Sequence, residues 1–79
     1  MKAAFLRFNH PDTARAYRDT LRVRMYAAGY EPHQVTMMFR DWFPSKQLSG
    51  YVAGTADAER AADVATEFRG VSCKLRDAP

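Results

Sequence analysis

Cysteine is nearly missing from this chain, with Cys73 the single example among 79 residues. An internal disulfide is therefore excluded, and so is a zinc site caged by several thiolates. The sulfur reads as a small buried hydrophobe, with an intermolecular disulfide as the alternative. Histidine is scarce as well: His10 and His33 have no second ligand at metal spacing, such as another histidine four residues on along a helix. No metal and no cofactor is expected. The acids are scattered over helical faces rather than gathered with a nucleophile and an orienting group, so the chain is read as a non-enzyme. No apolar run approaches the roughly 20 residues of a membrane helix. The start, MKAAFLRFNHPD, lacks the apolar segment and cleavage pattern of a secretory signal, which points to a cytoplasmic protein.

What is present describes one small domain spanning residues 1–79. The composition is 47% hydrophobic and 27% charged, near the lower size limit at which one core suffices without staples. A formal charge of +3 and a pI near 9.4 are mild, so the placement of the cations matters more than their sum.

Residues 2–8, KAAFLRF, form a short apolar run closed by the breaker NHPD and read as a first strand. Asn9 is expected to cap a helix with Asp12 three residues on and Pro11 in the first turn. That helix runs to about Ala28, its face built from Ala14, Tyr17, Leu21, Met25 and Ala28, and Gly29 ends it. After YEP, residues 33–43 alternate as a second strand, with His33 read as a loop or strand-edge residue. Pro44 to Ser49 turn the chain, and Gly50 to Gly54 return as a third strand. Thr55 is expected to cap a second helix over about 56–69, with the stripe Ala58, Ala61, Val64, Ala65 and Phe68 ending at Gly70. Residues 71–76 close the chain as a fourth strand.

The order strand, helix, strand, strand, helix, strand is that of the split ferredoxin-like βαββαβ sandwich. It predicts an α+β fold: a four-stranded antiparallel sheet ordered 4-1-3-2, both helices on one face and the other face uncovered. The core parity is Ala4, Leu6, Phe8, Val35, Met37, Phe39, Val52, Val71, Cys73 and Leu75. The opposite parity then carries Ala3, Phe5 and Arg7; Thr36, Met38, Arg40 and Trp42; Tyr51 and Ala53; Ser72, Lys74 and Arg76. Aromatics among four cations and no acid mark an interaction surface. Three uses stay open for it: the seam of a homodimer, a platform for stacking bases over neutralised phosphates, and a docking patch for a protein or nucleoprotein.

Residues 4–9, AFLRFN, resemble the first-strand motif of the RNA-recognition motif domain, with Phe5 at the base-stacking position. SGYVAG resembles that family's second motif at Gly50, Tyr51 and Val52, but Ser49 and Gly54 stand where aromatics are expected. In length, lack of motifs and surface character, the whole chain also resembles the small anti-CRISPR proteins of phages and mobile elements. Those act without catalysis by occupying a surface of an RNA-guided effector.

Helix one carries a further basic ridge, Arg15, Arg18 and Arg22, with Asp19 as internal partner. The acids of helix two, Asp57, Glu59, Asp63 and Glu67, argue for a partner met on one side only. The expected function is a small binding protein that inhibits or remodels a nucleic-acid-handling complex in the anti-CRISPR manner. Its partner-binding residues are Phe5, Arg7, Met38, Arg40, Trp42, Tyr51, Lys74 and Arg76. A single-stranded nucleic-acid-binding module and a homodimerising regulatory domain are the alternatives.

Overall fold

A computed structural model describes residues 1–39 and 48–77. The described chain runs β1 (Lys2–Phe8), α1 (Pro11–Ala27), α2 (Pro32–Met38), β2 (Ser49–Ala53), α3 (Thr55–Ala65) and β3 (Val71–Asp77). It is an α+β protein whose described strands form one antiparallel sheet ordered β2-β1-β3. The strands expected as first, third and fourth therefore stand in the expected order. The expected second strand does not appear among the described residues, and no four-stranded ferredoxin-like sheet is seen.

The correction lies in residues 32–38, which are helical. Pro32 stands in the first turn of α2, and Gln34 at its third position reaches back so that its Oε1 accepts from the Glu31 N–H at 2.8 Å. This reciprocal end favours a helix start. Val35 and Phe39 are four residues apart, fall on one helical face and are both buried. An alternation of apolar residues satisfies that spacing as readily as it satisfies a strand. Met37, expected in the core, is instead 59% exposed, and His33 is an exposed helical residue rather than a loop or strand-edge residue. Arg40, Trp42 and the rest of the expected strand up to residue 43 lie outside the described residues, as does most of the turn that was to follow.

Helix α1 begins one residue later than its expected cap. His10, not Asn9, is the N-cap, its Nδ1 accepting from the Asp12 N–H at 3.0 Å. Tyr17, Leu21 and Met25 are buried and Ala14 packs at the margin, whereas Ala28 is exposed. Gly29 adopts φ +94° just past the helix end, the left-handed conformation that glycine tolerates best. Helix α3 is shorter than expected. Gly54 at φ +103° is its N-cap, and the Thr55 hydroxyl serves another purpose, accepting from the Lys2 N–H at 3.0 Å. Ala58, Ala61, Val64 and Ala65 are buried, and Phe68 packs against them from beyond the helix.

One core joins these faces: Ala4, Leu6 and Phe8 of β1 and Val52 of β2 lie under Tyr17, Leu21, Met25, Val35, Phe39 and the α3 alanines. The Tyr17 hydroxyl, fully buried, donates to the Ala61 carbonyl at 2.7 Å and so ties α1 to α3. Phe8 and Phe68 flank its ring at 5.4 and 5.7 Å. At the surface, Arg24 bonds Glu67 at 2.6 Å, and Tyr30 donates to the Asp57 carboxylate. Strand β3 is covered less completely than expected. Val71 and Cys73 are half-buried, and Leu75 is 41% exposed.

Candidate docking face

Pairing register fixes what is displayed on the side of the sheet that lies opposite the described core. Arg7 pairs with Ser49 on one side and Ser72 on the other, Phe5 with Tyr51 and Lys74, and Ala3 with Ala53 and Arg76. Side chains alternate across a strand and partners share a face. These positions therefore form a grid of three rows: Ser49–Arg7–Ser72, Tyr51–Phe5–Lys74 and Ala53–Ala3–Arg76. Ala3 is fully buried despite its outward parity. The other outward side chains are exposed, with Phe5 at 44% and Tyr51 at 46%.

No acid occurs in the grid. Its aromatics lie on β1 and β2, and its cations are Arg7 on β1 with Lys74 and Arg76 on β3. The Phe5 and Tyr51 ring centroids are 5.0 Å apart with planes inclined at 63°, an edge-to-face pair of the kind aromatic quadrupoles favour.

A concavity of about 820 Å³ opens over this face, lined by Phe5, Leu6, Arg7, Met38, Ser49, Gly50, Tyr51, Ser72, Lys74 and Arg76. The structure thus brings together Phe5, Arg7, Met38, Tyr51, Lys74 and Arg76. Met38 arrives by a different route from the one expected: it stands near the end of α2, not on a strand, and packs partly against the core. Arg40 and Trp42 lie outside the described residues. Ser49 and Gly50 also line the concavity. Their place follows from the Arg7↔Ser49 and Leu6↔Gly50 register, which the sequence does not reveal until strand pairing is known.

The ridge of α1 does not join this surface. Arg22 bonds Asp19 at 3.3 Å and lies 5.9 Å from the centre of the Phe39 ring, a cation–π distance. Arg18 is partly buried. Burial, followed by the neighbouring Arg22, lowers its proton affinity against the pull of Asp19. Arg15 is exposed.

Cys73 sits on the helix side of β3, and burial raises its thiol pKa, which disfavours the reactive thiolate. Among the described residues no three His, Cys, Asp or Glu side chains are grouped to hold a metal ion. No described helix is long and apolar enough to cross a membrane. No family model, no curated protein and no solved structure matches the chain.

Proposed function

We propose that this chain is a non-enzymatic binding domain that uses the open face of its sheet to dock on a nucleic-acid-handling complex and block or remodel it, as the anti-CRISPR resemblance implies. The observation that carries this reading is the acid-free grid: an apolar centre, Phe5 against Tyr51, bordered by Arg7, Lys74 and Arg76. Aromatic and arginine side chains are the favoured anchors of protein interfaces, and a surface with cations alone is attracted to phosphate or to an acidic protein surface. The inclination of the two rings favours this use over two-base stacking. Rings 63° apart do not both lie parallel to the sheet, so they do not offer two flat platforms together.

The second reading, direct binding of single-stranded RNA as in the RNA-recognition motif, draws on the same row. Its aromatics lie toward β2 and its cations toward β3, which is the separation of bases from backbone that a strand would need.

Expression of the chain beside a panel of RNA-guided nucleases, with survival of a targeted plasmid as readout, tests the first reading. Protection that disappears in the Phe5→Asp and Lys74→Glu variants is the expected result. Loss of targeting everywhere in the panel unaffected by those variants, or no protection at all, overturns it.

A further inference from the structure

The outer edge of β3 has the properties of a self-pairing strand. Asn9 donates its N–H to the Gly70 carbonyl at 2.9 Å, and Phe8 donates in the other direction, to Leu48 of the segment leading into β2, at 2.9 Å. Antiparallel ladders alternate hydrogen-bonded and non-bonded pairs. From the Asn9–Gly70 pair, Ser72, Lys74 and Arg76 turn their backbone groups toward β1. Val71, Cys73, Leu75 and Asp77 turn theirs toward the edge, where no described strand meets them. These same residues make up the row of β3 that the helices leave half-covered, with Leu75 41% exposed.

We infer that β3 pairs antiparallel with β3 of a second copy about a two-fold axis at Cys73, making one six-stranded sheet from two chains. Edge groups have to meet edge groups, which leaves few registers; a centre at Ser72 would pair only residues 71–73 of the strand, which begins at Val71, and charge selects among the rest. Centring on Lys74 sets Lys74 against its own copy, and centring on Leu75 sets Lys74 against Arg76. Centring on Cys73 opposes Leu75 to Val71, Cys73 to Cys73 and Lys74 to Ser72, with no like charges face to face. It also carries Asp77 of each copy toward the turn holding Arg69 of the other. Such an interface is isologous and closed, and it protects an edge that is otherwise a template for uncontrolled pairing. The second copy does not cover the docking grid. Its cation-bearing edges meet along the seam, so Lys74 and Arg76 of both copies form one basic strip, and added salt strengthens the association.

Sedimentation at moderate salt, combined with amide hydrogen exchange followed by NMR over a range of protein concentrations, tests this. The expected result is a mass twice that of the chain, with protection of the Cys73 and Leu75 amides that rises with concentration. Leu75→Pro removes an N–H that faces only the edge, and Leu75→Lys adds a cation to the seam. Both should give monomers with unchanged circular dichroism. A wild-type chain that remains monomeric overturns the inference. So does a dimer that survives both variants, or one that is broken by Phe5→Asp while the β3 edge amides exchange freely.

Discussion

Phe5 and Tyr51 are cross-strand partners whose rings meet edge to face at 5.0 Å on the open side of the sheet. Nearly half of each residue remains in solvent, so the pair contributes less to stability than its size suggests. Aromatic pairs add about 0.5–1.5 kcal/mol beyond area burial, and with half the area term Phe5→Ala or Tyr51→Ala should cost about 1–3 kcal/mol in urea unfolding, less than the about 3–5 kcal/mol of a buried Phe. Either variant should nevertheless weaken docking by about 2 kcal/mol or more, as truncating an interface anchor does. A stability loss as large as that of a core truncation would make the pair structural rather than a docking element.

Substitutions in α2 separate a helix from a strand at residues 33–39. On a strand, Val35, Met37 and Phe39 would share the buried face. On the helix, Phe39 is buried and Met37 is exposed. Phe39→Ala should cost about 3–5 kcal/mol, whereas Met37→Glu should stay within about 0.5 kcal/mol. Equal, large losses in denaturant titrations would favour the strand.

That ambiguity shows where the sequence was legible. β1, β2 and β3 were readable because Gly, Pro and Asn bound them and their parity separates aliphatics from Phe5, Arg7, Tyr51, Lys74 and Arg76. Both long helices were readable from the three-and-four spacing of their apolar residues. In α2 the spacing fits two periods, and only the terminal pattern Glu31-Pro32 with Gln34 favours a helix. The α1 cap is His10 rather than Asn9 because the Asn9 backbone continues the β1–β3 ladder, its N–H donating to the Gly70 carbonyl, and composition alone does not rank the two. Parity places Leu75 in the core. Its exposure depends on how far the helices extend over the last strand, which parity does not encode.

Gly54 holds α3 in place through its backbone. Its φ of +103° is costly for any residue with a Cβ, and its N–H donates to the Lys2 carbonyl at 3.1 Å, while the Thr55 hydroxyl accepts from Lys2. Gly54→Ala should destabilise by about 1–3 kcal/mol, with thermal unfolding as the check. Unchanged stability would mean that the turn relaxes to a negative φ without losing the contacts to Lys2.

Tyr17 links the core to pH. Burial, and secondarily Cys73, raise its pKa above the ordinary value near 10, because the folded state disfavours the phenolate. A group raised on folding contributes stability that is present below its unfolded pKa and lost as pH climbs toward the folded value. Stability should therefore fall above about pH 10. Tyr30, held by Asp57, and Cys73 are shifted in the same direction, so the wild-type slope is shared. Tyr17→Phe should cost about 1 kcal/mol at neutral pH by removing the bond to Ala61, and should flatten the alkaline decline. A decline of unchanged steepness in the variant would assign it to the other two groups.

Salt separates the two readings of the docking face. If Arg7, Lys74 and Arg76 each neutralise one phosphate of a single strand, the logarithm of affinity should fall with the logarithm of salt at a slope of about −2. Lys74→Glu should then reduce that slope, and Tyr51→Ala should remove roughly 1–3 kcal/mol through lost stacking. A face that docks on a folded surface through the Phe5–Tyr51 centre behaves differently, since desolvated packing is insensitive to salt and the cations mainly speed encounter. The expected outcome in an anisotropy titration is weak binding of a short oligouridylate even at low salt. The inclined rings do not present two stacking platforms, and the acids of α3 keep a basic footprint from continuing around the domain. Tight, salt-steep binding lost in both Phe5→Ala and Tyr51→Ala would place the strand-binding module first and make any effect on a nuclease complex a consequence of competing for its RNA.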